Sequence, residues 1–191
     1  ALFLGLTDDL HWLKNQERLT FARVGITDPL DINDYEKHAG FNGLRKAIEL
    51  EPQLIVNEVT DSGLRGRGGA AFPTGIKWQT VLNTPSKTKY IVCNADEGDS
   101  GTFSDRMIME NDPFVLIEGM IIAGMAVGAE YGYIYLRSEY PDAQEVLNKA
   151  INIAKEKGFL GNNILSSGYN FDLEVTRAAG AYICGEETSL L

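Results

Sequence analysis

One stretch, SGLRGRGGAAFPTGIKW at residues 62–78, constrains the fold of this chain more than any other. It sets five glycines among two arginines, a lysine and a proline, a composition that does not suit a buried helix or strand. Glycine is used where φ is positive or where a ligand must approach the backbone more closely than a Cβ permits. Gly66, Gly68 and Gly69 therefore predict a shaped loop whose main-chain N–H groups face a ligand.

Cationic side chains surround this glycine-rich loop. Arg65, Arg67 and Lys77 can donate to an anion, so an anionic ligand is the first hypothesis. The loop is not a P-loop, because no Gly-Lys-Ser/Thr follows, and it lacks the Rossmann fingerprint, because no predicted strand runs directly into it. A flexible linker is the alternative, but such linkers are usually Ser-rich and lack aromatic residues such as Phe72 and Trp78.

Composition limits the classes of partner and site. With 191 residues, 44% of them hydrophobic, the chain can form one substantial α/β core with a smaller appendage. The formal net charge of −10 argues against nucleic acid and anionic membranes as partners. Cys93 and Cys184 form no CxxC pair, which predicts no disulfide framework and no metal site within the chain. No signal peptide is recognisable, so a cytoplasmic location is expected.

The first third of the chain predicts a small helical arm over residues 1–62. Asn33 can cap a helix that extends to residue 50, with Gly40 and Gly43 expected to break it in two. Pro52 suits the first turn of the next helix, and Gly63 is expected to end that helix immediately before the glycine-rich loop.

Strands and helices alternate over the remainder, residues 63–191. Two strand–helix–strand units in series predict a parallel, Rossmann-like α/β sheet with flanking helices. The predicted strands are 90–93, 133–136 and 171–176, and the predicted helices are 76–82, 113–129 and 141–157.

The predicted helix over 113–129 is apolar on nearly all faces. Glu118 interrupts it, and it is shorter than the roughly 20 residues that a membrane span needs. It is therefore expected to be a buried crossover helix that packs closely through Gly119, Gly124 and Gly128.

Polar residues follow the first predicted strand directly, in the order Asn94, Asp96 and Glu97. Ligands collect at the carboxyl ends of the strands in open parallel sheets, so this is where chemistry is expected. Each acid also has a structural alternative. Asp96 and Glu97 could cap the turn after the strand, and Glu186 and Glu187 could stabilise the first turn of a helix.

Three motifs together carry a family resemblance: GRGGAAFPTGIKW at 66–78, CNADEGDSGTFSDR at 93–106 and GAYICGEETSLL at 180–191. They resemble the FMN-bearing, NADH-oxidising subunit of respiratory complex I and the diaphorase subunits of NAD-reducing hydrogenases and NAD-dependent formate dehydrogenases. DEGDSGTF at 96–103 and RSEYPDA at 137–143 are most similar to a formate dehydrogenase beta subunit. The resemblance covers the chain from about residue 20 to its end.

The resemblance implies a Rossmann-like domain in which hydride passes between NAD(H) and FMN, and single electrons continue to iron–sulfur centres. It implies partner subunits, namely an iron–sulfur subunit and a catalytic formate dehydrogenase subunit. It also implies a 4Fe–4S cluster whose cysteine ligands would lie beyond Leu191, and the short helix that begins after Gly185 predicts that the chain continues.

Particular residues match the family's site positions. Phe72 matches an aromatic that stacks on the NADH adenine, and Asp99 takes the place of a family glutamate at the nucleotide site. Glu97 and Glu187 are implied to act catalytically beside the nicotinamide, and acids at the nucleotide site favour NAD over NADP by repelling a 2′-phosphate. The residues that match the FMN site are Gly66, Arg67, Gly68, Lys77, Asn94, Asp96, Glu97, Tyr182, Gly185, Glu186 and Glu187.

The sequence departs from the family pattern at two positions. Thr80 stands where complex I relatives carry a second adenine-stacking aromatic, and Ala71 replaces a commoner glycine. Four alternatives stay open: a complex I flavin subunit, a hydrogenase flavin subunit, a flavin-free relative in a membrane-bound ferredoxin:NAD oxidoreductase, and a nucleotide-binding scaffold that docks partners without catalysis.

Overall fold

The computed structural model describes residues 9–179, 184 and 190 of the chain. Short helices come first and a strand–helix alternation follows, as the hydrophobic patterns predict. The helices are α1 His11–Lys14, α2 Ile32–Lys37, α3 Asn42–Ile48, α4 Pro52–Asp61, α5 Thr74–Asn83, α6 Ser104–Asn111, α7 Pro113–Val127 and α8 Pro141–Glu156. The strands are β1 Tyr90–Ala95, β2 Tyr131–Arg137 and β3 Asp172–Ala178, with a 3-10 turn at Ile164–Ser166.

The three strands form one parallel sheet in the order β1-β2-β3. Tyr131 at the start of β2 lies opposite Tyr90 of β1 and Asp172 of β3. Helices α6 and α7 connect β1 to β2, and α8 connects β2 to β3. The prediction of a parallel α/β sheet with flanking helices is confirmed, although each strand is longer than predicted or shifted by a residue or two.

Helix α7 is the centre of the core, and most of its residues are buried. Its close packing comes from Gly124, where an added Cβ would lie 2.5 Å from the Phe171 ring. The expectation was wrong for the other two glycines, because Gly119 is exposed and Gly128 ends the helix at φ +78. Among the described residues, no helix is long and apolar enough to cross a membrane.

The start of α2 differs from the prediction. Asp31, not Asn33, is the N-cap, and its carboxylate accepts hydrogen bonds from the main-chain N–H groups of Asn33 and Asp34. An aspartate one residue before the helix satisfies two of the free N–H groups in the first turn, so the cap lies two positions earlier than predicted.

The break between α2 and α3 lies at residues 38–41, and Gly43 is inside α3. Gly40 is required there, because an added Cβ would lie about 2 Å from the Tyr35 ring. Phe41 follows in the left-handed region at φ +58 and is fully buried against Phe159, with ring centroids 3.9 Å apart. Gly40 therefore breaks the helix as expected, and Gly43 does not.

A buried carboxylate joins the helical arm to α7. Glu118 accepts hydrogen bonds from the Tyr35 hydroxyl at 2.5 Å and from the N–H groups of Phe41 at 2.8 Å and Leu44 at 2.9 Å. Burial and this contact raise the pKa of Tyr35 well above its usual range. Buried residues of α2, α3 and α4 belong to the same hydrophobic cluster as α7, and the domain boundary at residue 62 stays a prediction.

Candidate functional site

The glycine-rich loop is closed by main-chain contacts. Arg65 and Pro73 form an antiparallel bridge, and Gly66 N–H donates to the Phe72 carbonyl at 2.9 Å. Gly69 at the tip has φ +98, a conformation that only glycine adopts without strain. Trp78, just beyond the loop, packs against the core. A structured loop fits these contacts, and a flexible linker does not.

The loop cations are not all directed at one point. Arg65 donates to the Ala71 carbonyl at 3.1 Å and Arg67 donates to the Arg65 carbonyl at 2.9 Å, so both guanidinium groups brace the loop. Lys77 Nζ lies 5.6 Å from the centroid of the Phe72 ring. Both Lys77 and Phe72 are exposed beside the loop, which leaves the ammonium group and one aromatic surface accessible to a ligand.

A cleft of about 1080 Å³ separates the loop from the carboxyl end of β1. Its volume suits a cofactor-sized ligand. The described lining includes Arg67, Gly68, Asn94, Asp96, Glu97 and Asp99 of the predicted site, and it does not include Gly66, Phe72 or Lys77. The predicted site residues Tyr182, Gly185, Glu186 and Glu187 lie outside the described residues. The remaining described lining residues are Gly69, Cys93, Ala95, Gly98, Thr102, Ser104, Asp105, Ile108, Met109, Leu116 and Cys184.

Asp96 gives the clearest indication of a ligand site. Asp96 is 4% exposed, and its Oδ1 has no hydrogen-bond partner among the described residues. A buried carboxylate oxygen without a donor is destabilising by about 1–3 kcal/mol or more, and such groups are rare in folded proteins. Because Asp96 lines the cleft, a ligand that donates a hydrogen bond would satisfy this oxygen.

Glu97 adopts the left-handed conformation, with φ +41. Its carboxylate accepts hydrogen bonds from the N–H groups of Asp105 at 2.5 Å and Arg106 at 3.2 Å, and from the hydroxyls of Ser104 at 3.3 Å and Tyr140 at 2.9 Å. The acid thus caps α6, which begins without a side-chain cap of its own. These donors use the roughly four lone-pair directions of a carboxylate, so a nicotinamide amide would have to share one.

Two residues to which the sequence analysis gave no role are hydrogen-bonded to Glu97. Arg137 donates to the Glu97 carbonyl at 2.7 Å, and the centroid of the Tyr140 ring lies 5.5 Å from the guanidinium carbon of Arg137 and 5.6 Å from that of Arg106. Burial and the contact with Glu97 raise the pKa of Tyr140. Arg137 ends β2, so its position at the carboxyl edge of the sheet was the available indication. Arg106 pairs with Glu110.

Other polar groups complete the wall of the cleft. Asp99 is exposed, and its carboxylate accepts a hydrogen bond from the Thr102 hydroxyl at 3.3 Å. Asn94 donates a hydrogen bond to the Cys184 carbonyl at 3.4 Å. Burial, with a smaller effect of Glu97, raises the pKa of Asp105. Burial also raises the pKa of Cys93 to about 12, so its thiol stays neutral and unreactive near neutral pH.

Residues 59–191 match the family model described as the Nuo51 FMN-binding domain. The chain belongs to this family. It is 49% identical over 178 residues to the HndC subunit of the NADP-reducing hydrogenase of Solidesulfovibrio fructosivorans, covering 93% of this chain and 36% of that protein. It is 48% identical over 175 residues to the F component of the NADH-quinone oxidoreductase of Escherichia coli, covering 91% and 39%.

A solved relative has the same fold. The structure of an NAD+-reducing NiFe hydrogenase in the air-oxidized state matches with a TM-score of 0.68 and 34% identity, over 92% of this chain and 27% of that chain. The chain therefore spans well under half the length of the relatives that it matches. The resemblance to the complex I and hydrogenase flavin subunits is confirmed, and the similarity to a formate dehydrogenase beta subunit stays a prediction.

The polar groups and the backbone that line the cleft are compatible with FMN. Asp96 Oδ1 is a buried acceptor that needs a donor, and FMN offers ribityl hydroxyls and a ring N–H. An added Cβ at Gly68 would meet no atom of the described residues within 4 Å, and Gly68 lines the cleft. Both features fit a polar aromatic cofactor pressed against the loop.

Proposed function

We propose that this chain is the FMN- and NAD(H)-binding part of a diaphorase subunit, which supplies electrons to or receives them from the iron–sulfur centres of a larger oxidoreductase. The observation that carries the proposal is the buried oxygen of Asp96, which has no hydrogen-bond partner among the described residues and lies in a cleft bordered by the glycine-rich loop. FMN, when bound, exchanges an electron pair as hydride and transfers single electrons. The names of the relatives, an NADH-quinone oxidoreductase and an NADP-reducing hydrogenase, support this class.

Binding of the cofactor is assigned to two walls of the cleft. Asn94 and Asp96, at the carboxyl end of β1, would hold the hydroxyl and N–H groups of the flavin side. Arg67 and Gly68 would present the loop backbone to it, with Gly66 shaping the loop. Lys77, exposed at the start of α5, would supply the positive charge for the phosphate. Tyr182, Gly185 and Glu186 are proposed for the same site from the resemblance.

The nucleotide is assigned to the exposed side of the loop. Phe72 is 45% exposed and would stack on the adenine, and Asp99 would accept hydrogen bonds from ribose hydroxyls. Glu97 and Glu187 would lie beside the reacting nicotinamide and orient it. Acids at this site would repel a 2′-phosphate, so NAD is the proposed nucleotide, although one relative is named as NADP-reducing.

The larger assembly is proposed from the names of the relatives. The relatives are named as subunits of a quinone oxidoreductase and of a hydrogenase, and a multi-subunit complex with an iron–sulfur partner is the corresponding proposal. The finer assignment to a formate dehydrogenase rests only on the residue patterns at 96–103 and 137–143.

Substitution of Gly68 by valine tests the flavin site. Its φ is not in the left-handed region, and no protein atom would touch the added Cβ, so the unliganded fold should accept valine. Gly119→Val is the matched control, because that glycine is also exposed with open space around it and lies outside the cleft. In the full-length subunit, Gly68→Val should lose most bound FMN and NADH:ferricyanide turnover, and the melting temperature of the apoprotein should match the control.

FMN is measured by its fluorescence after denaturation. Normal FMN content and turnover in Gly68→Val would contradict the assignment of the loop to the flavin. A wild-type subunit without any flavin, able to bind nucleotide, would instead favour the non-catalytic scaffold.

A further inference from the structure

Arg137 and Tyr140, at the two ends of the turn between β2 and α8, both donate hydrogen bonds to Glu97. The Tyr140 hydroxyl donates to Glu97 Oε1 at 2.9 Å, and Arg137 Nη1 donates to the Glu97 main-chain carbonyl at 2.7 Å. Arg137 is the last residue of β2, and Tyr140 is the residue before α8. Arg137 is thus part of the sheet and Tyr140 lies in the turn that follows it, so neither donor belongs to the turn that carries Glu97.

Tyr140 is itself fixed in place. Its ring centroid lies 5.6 Å from the guanidinium carbon of Arg106 and 5.5 Å from that of Arg137. Each guanidinium group is close enough to the ring for a cation–π contact. The raised pKa of Tyr140 keeps its hydroxyl protonated, so it stays a hydrogen-bond donor at neutral and mildly alkaline pH.

The remaining donors to the Glu97 carboxylate all belong to one element. The N–H groups of Asp105 and Arg106 and the Ser104 hydroxyl lie in the first turn of α6. In the part of the chain that the structure describes, Tyr140 is thus the side chain outside α6 that bonds this carboxylate. Without it, the acid would follow any movement of α6, and its left-handed backbone would be less restrained.

We propose that Tyr140 and Arg137 are positioning residues for Glu97, which fix its carboxylate and its peptide group in the wall of the cleft so that the acid meets the reacting nicotinamide in one orientation. This inference rests on the proposed function, because it assigns Glu97 to the nicotinamide. It adds two residues, one at the end of β2 and one before α8, to those that the family resemblance implies.

The test compares two tyrosines in the full-length subunit. Tyr140→Phe keeps the ring beside the two arginines and removes only the hydroxyl. Tyr131→Phe is the matched control, because the Tyr131 hydroxyl also donates to a carboxylate, that of Glu174, at 2.9 Å but on the exposed sheet surface. FMN content, kcat and KM for NADH with ferricyanide, and the midpoint potential of the flavin are measured for both.

We expect Tyr140→Phe to keep its FMN and melting temperature and to lose about tenfold in kcat/KM, as for a lost hydrogen bond to a charged group. Tyr131→Phe should match the wild type. Identical kinetics in the two variants would overturn the inference, and so would loss of FMN in Tyr140→Phe, because that would indicate a purely structural role.

A double-mutant cycle tests whether Tyr140 acts through Glu97. On a Glu97→Ala background, adding Tyr140→Phe should cost less than about twofold in kcat/KM, since the group it positions is gone. The same cycle with Glu97→Gln applies if the alanine variant does not fold. Full, additive losses in the cycle would contradict the inference and leave the proposed function intact. A wild-type subunit without FMN would refute the proposed function itself.

Discussion

At the scale of single residues, Glu118 is a buried carboxylate of the core that requires several hydrogen-bond donors. It is 8% exposed, and three donors from the helical arm surround its two oxygens. Phe41 and Leu44 supply N–H groups from the start of α3, so the carboxylate of α7 acts as the cap of another helix. Because a buried charge is stable only when its lone pairs are satisfied, the arm and α7 must fold together.

Substitution of Glu118 by glutamine should destabilise the fold by about 2 kcal/mol. An amide can accept at one oxygen only, and its NH₂ group would then face a main-chain N–H or the Tyr35 hydroxyl. The free energy of unfolding is measured by urea denaturation. Glu156→Gln, at an exposed glutamate near the end of α8, is the control and should change it by less than about 0.5 kcal/mol. Equal stability of the two variants would rule out this role.

The sequence predicts individual site residues when the cause is local. Asp96 was predicted because a strand end in a parallel sheet is where ligands bind, and its unpaired oxygen supports that prediction. The partners of Glu97 were not predicted, since Arg137 and Tyr140 are about 40 residues away and only the sheet register brings them near. Glu118 was noted only as an interruption of an apolar helix, because its partners also come from a distant segment.

At the scale of elements, helices α4 and α5 bracket the glycine-rich loop and fix its ends. They pack closely at Gly75, where an added Cβ would lie 2.1 Å from Thr60 Oγ1 and 2.8 Å from Thr60 Cα. Gln53 of α4 and Gln79 of α5 are hydrogen-bonded to each other through their side-chain amides. The spacing of these two helices therefore sets the position of the loop and of Lys77 on α5.

Substitution of Gly75 by alanine should move α5 away from α4, because the backbone of Thr60 cannot yield to the new methyl group. We expect a loss of about 1–3 kcal/mol in the free energy of unfolding, with reduced FMN content in the full-length subunit. Gly119→Ala, at an exposed position within α7, should instead stabilise by up to about 1 kcal/mol through helix propensity. A Gly75→Ala variant as stable as Gly119→Ala would disprove the close packing.

Helix α6 illustrates why some short helices are not predicted from the sequence. Its first residue follows Phe103, which provides no side-chain cap. The cap comes from Glu97, seven residues before the helix begins, through a turn whose path is set by β2 and α8. A long apolar run identified α7 and apolar periodicity identified α8, but an eight-residue helix offers too few positions for either pattern.

At the scale of the whole molecule, several acidic groups are held protonated by the fold. Burial raises the pKa of Cys93 to about 12 and places the pKa values of Tyr35 and Tyr169 well above the usual tyrosine range. The unfolded chain releases these protons at the ordinary values, 9.0 for the thiol and 10.0 for the phenols. Stability is therefore complete below those values and is lost as the pH rises from them toward the folded-state pKa values.

Comparison with Cys93→Ala isolates the thiol contribution between pH 8 and 10, because the unfolded thiol titrates there and the tyrosines are the same in both proteins. Over that interval the free energy of unfolding should fall by about 1 kcal/mol more in the wild type than in Cys93→Ala, which has no thiol to release a proton at this position. The alanine variant should be less stable at every pH through lost packing, but its curve against pH should be flatter. Urea denaturation at intervals of half a pH unit measures both curves, with reductant present to keep the thiols free. Parallel curves would show that the native thiol ionises as readily as in the unfolded chain, which would contradict the raised pKa of Cys93 in the wall of the cleft.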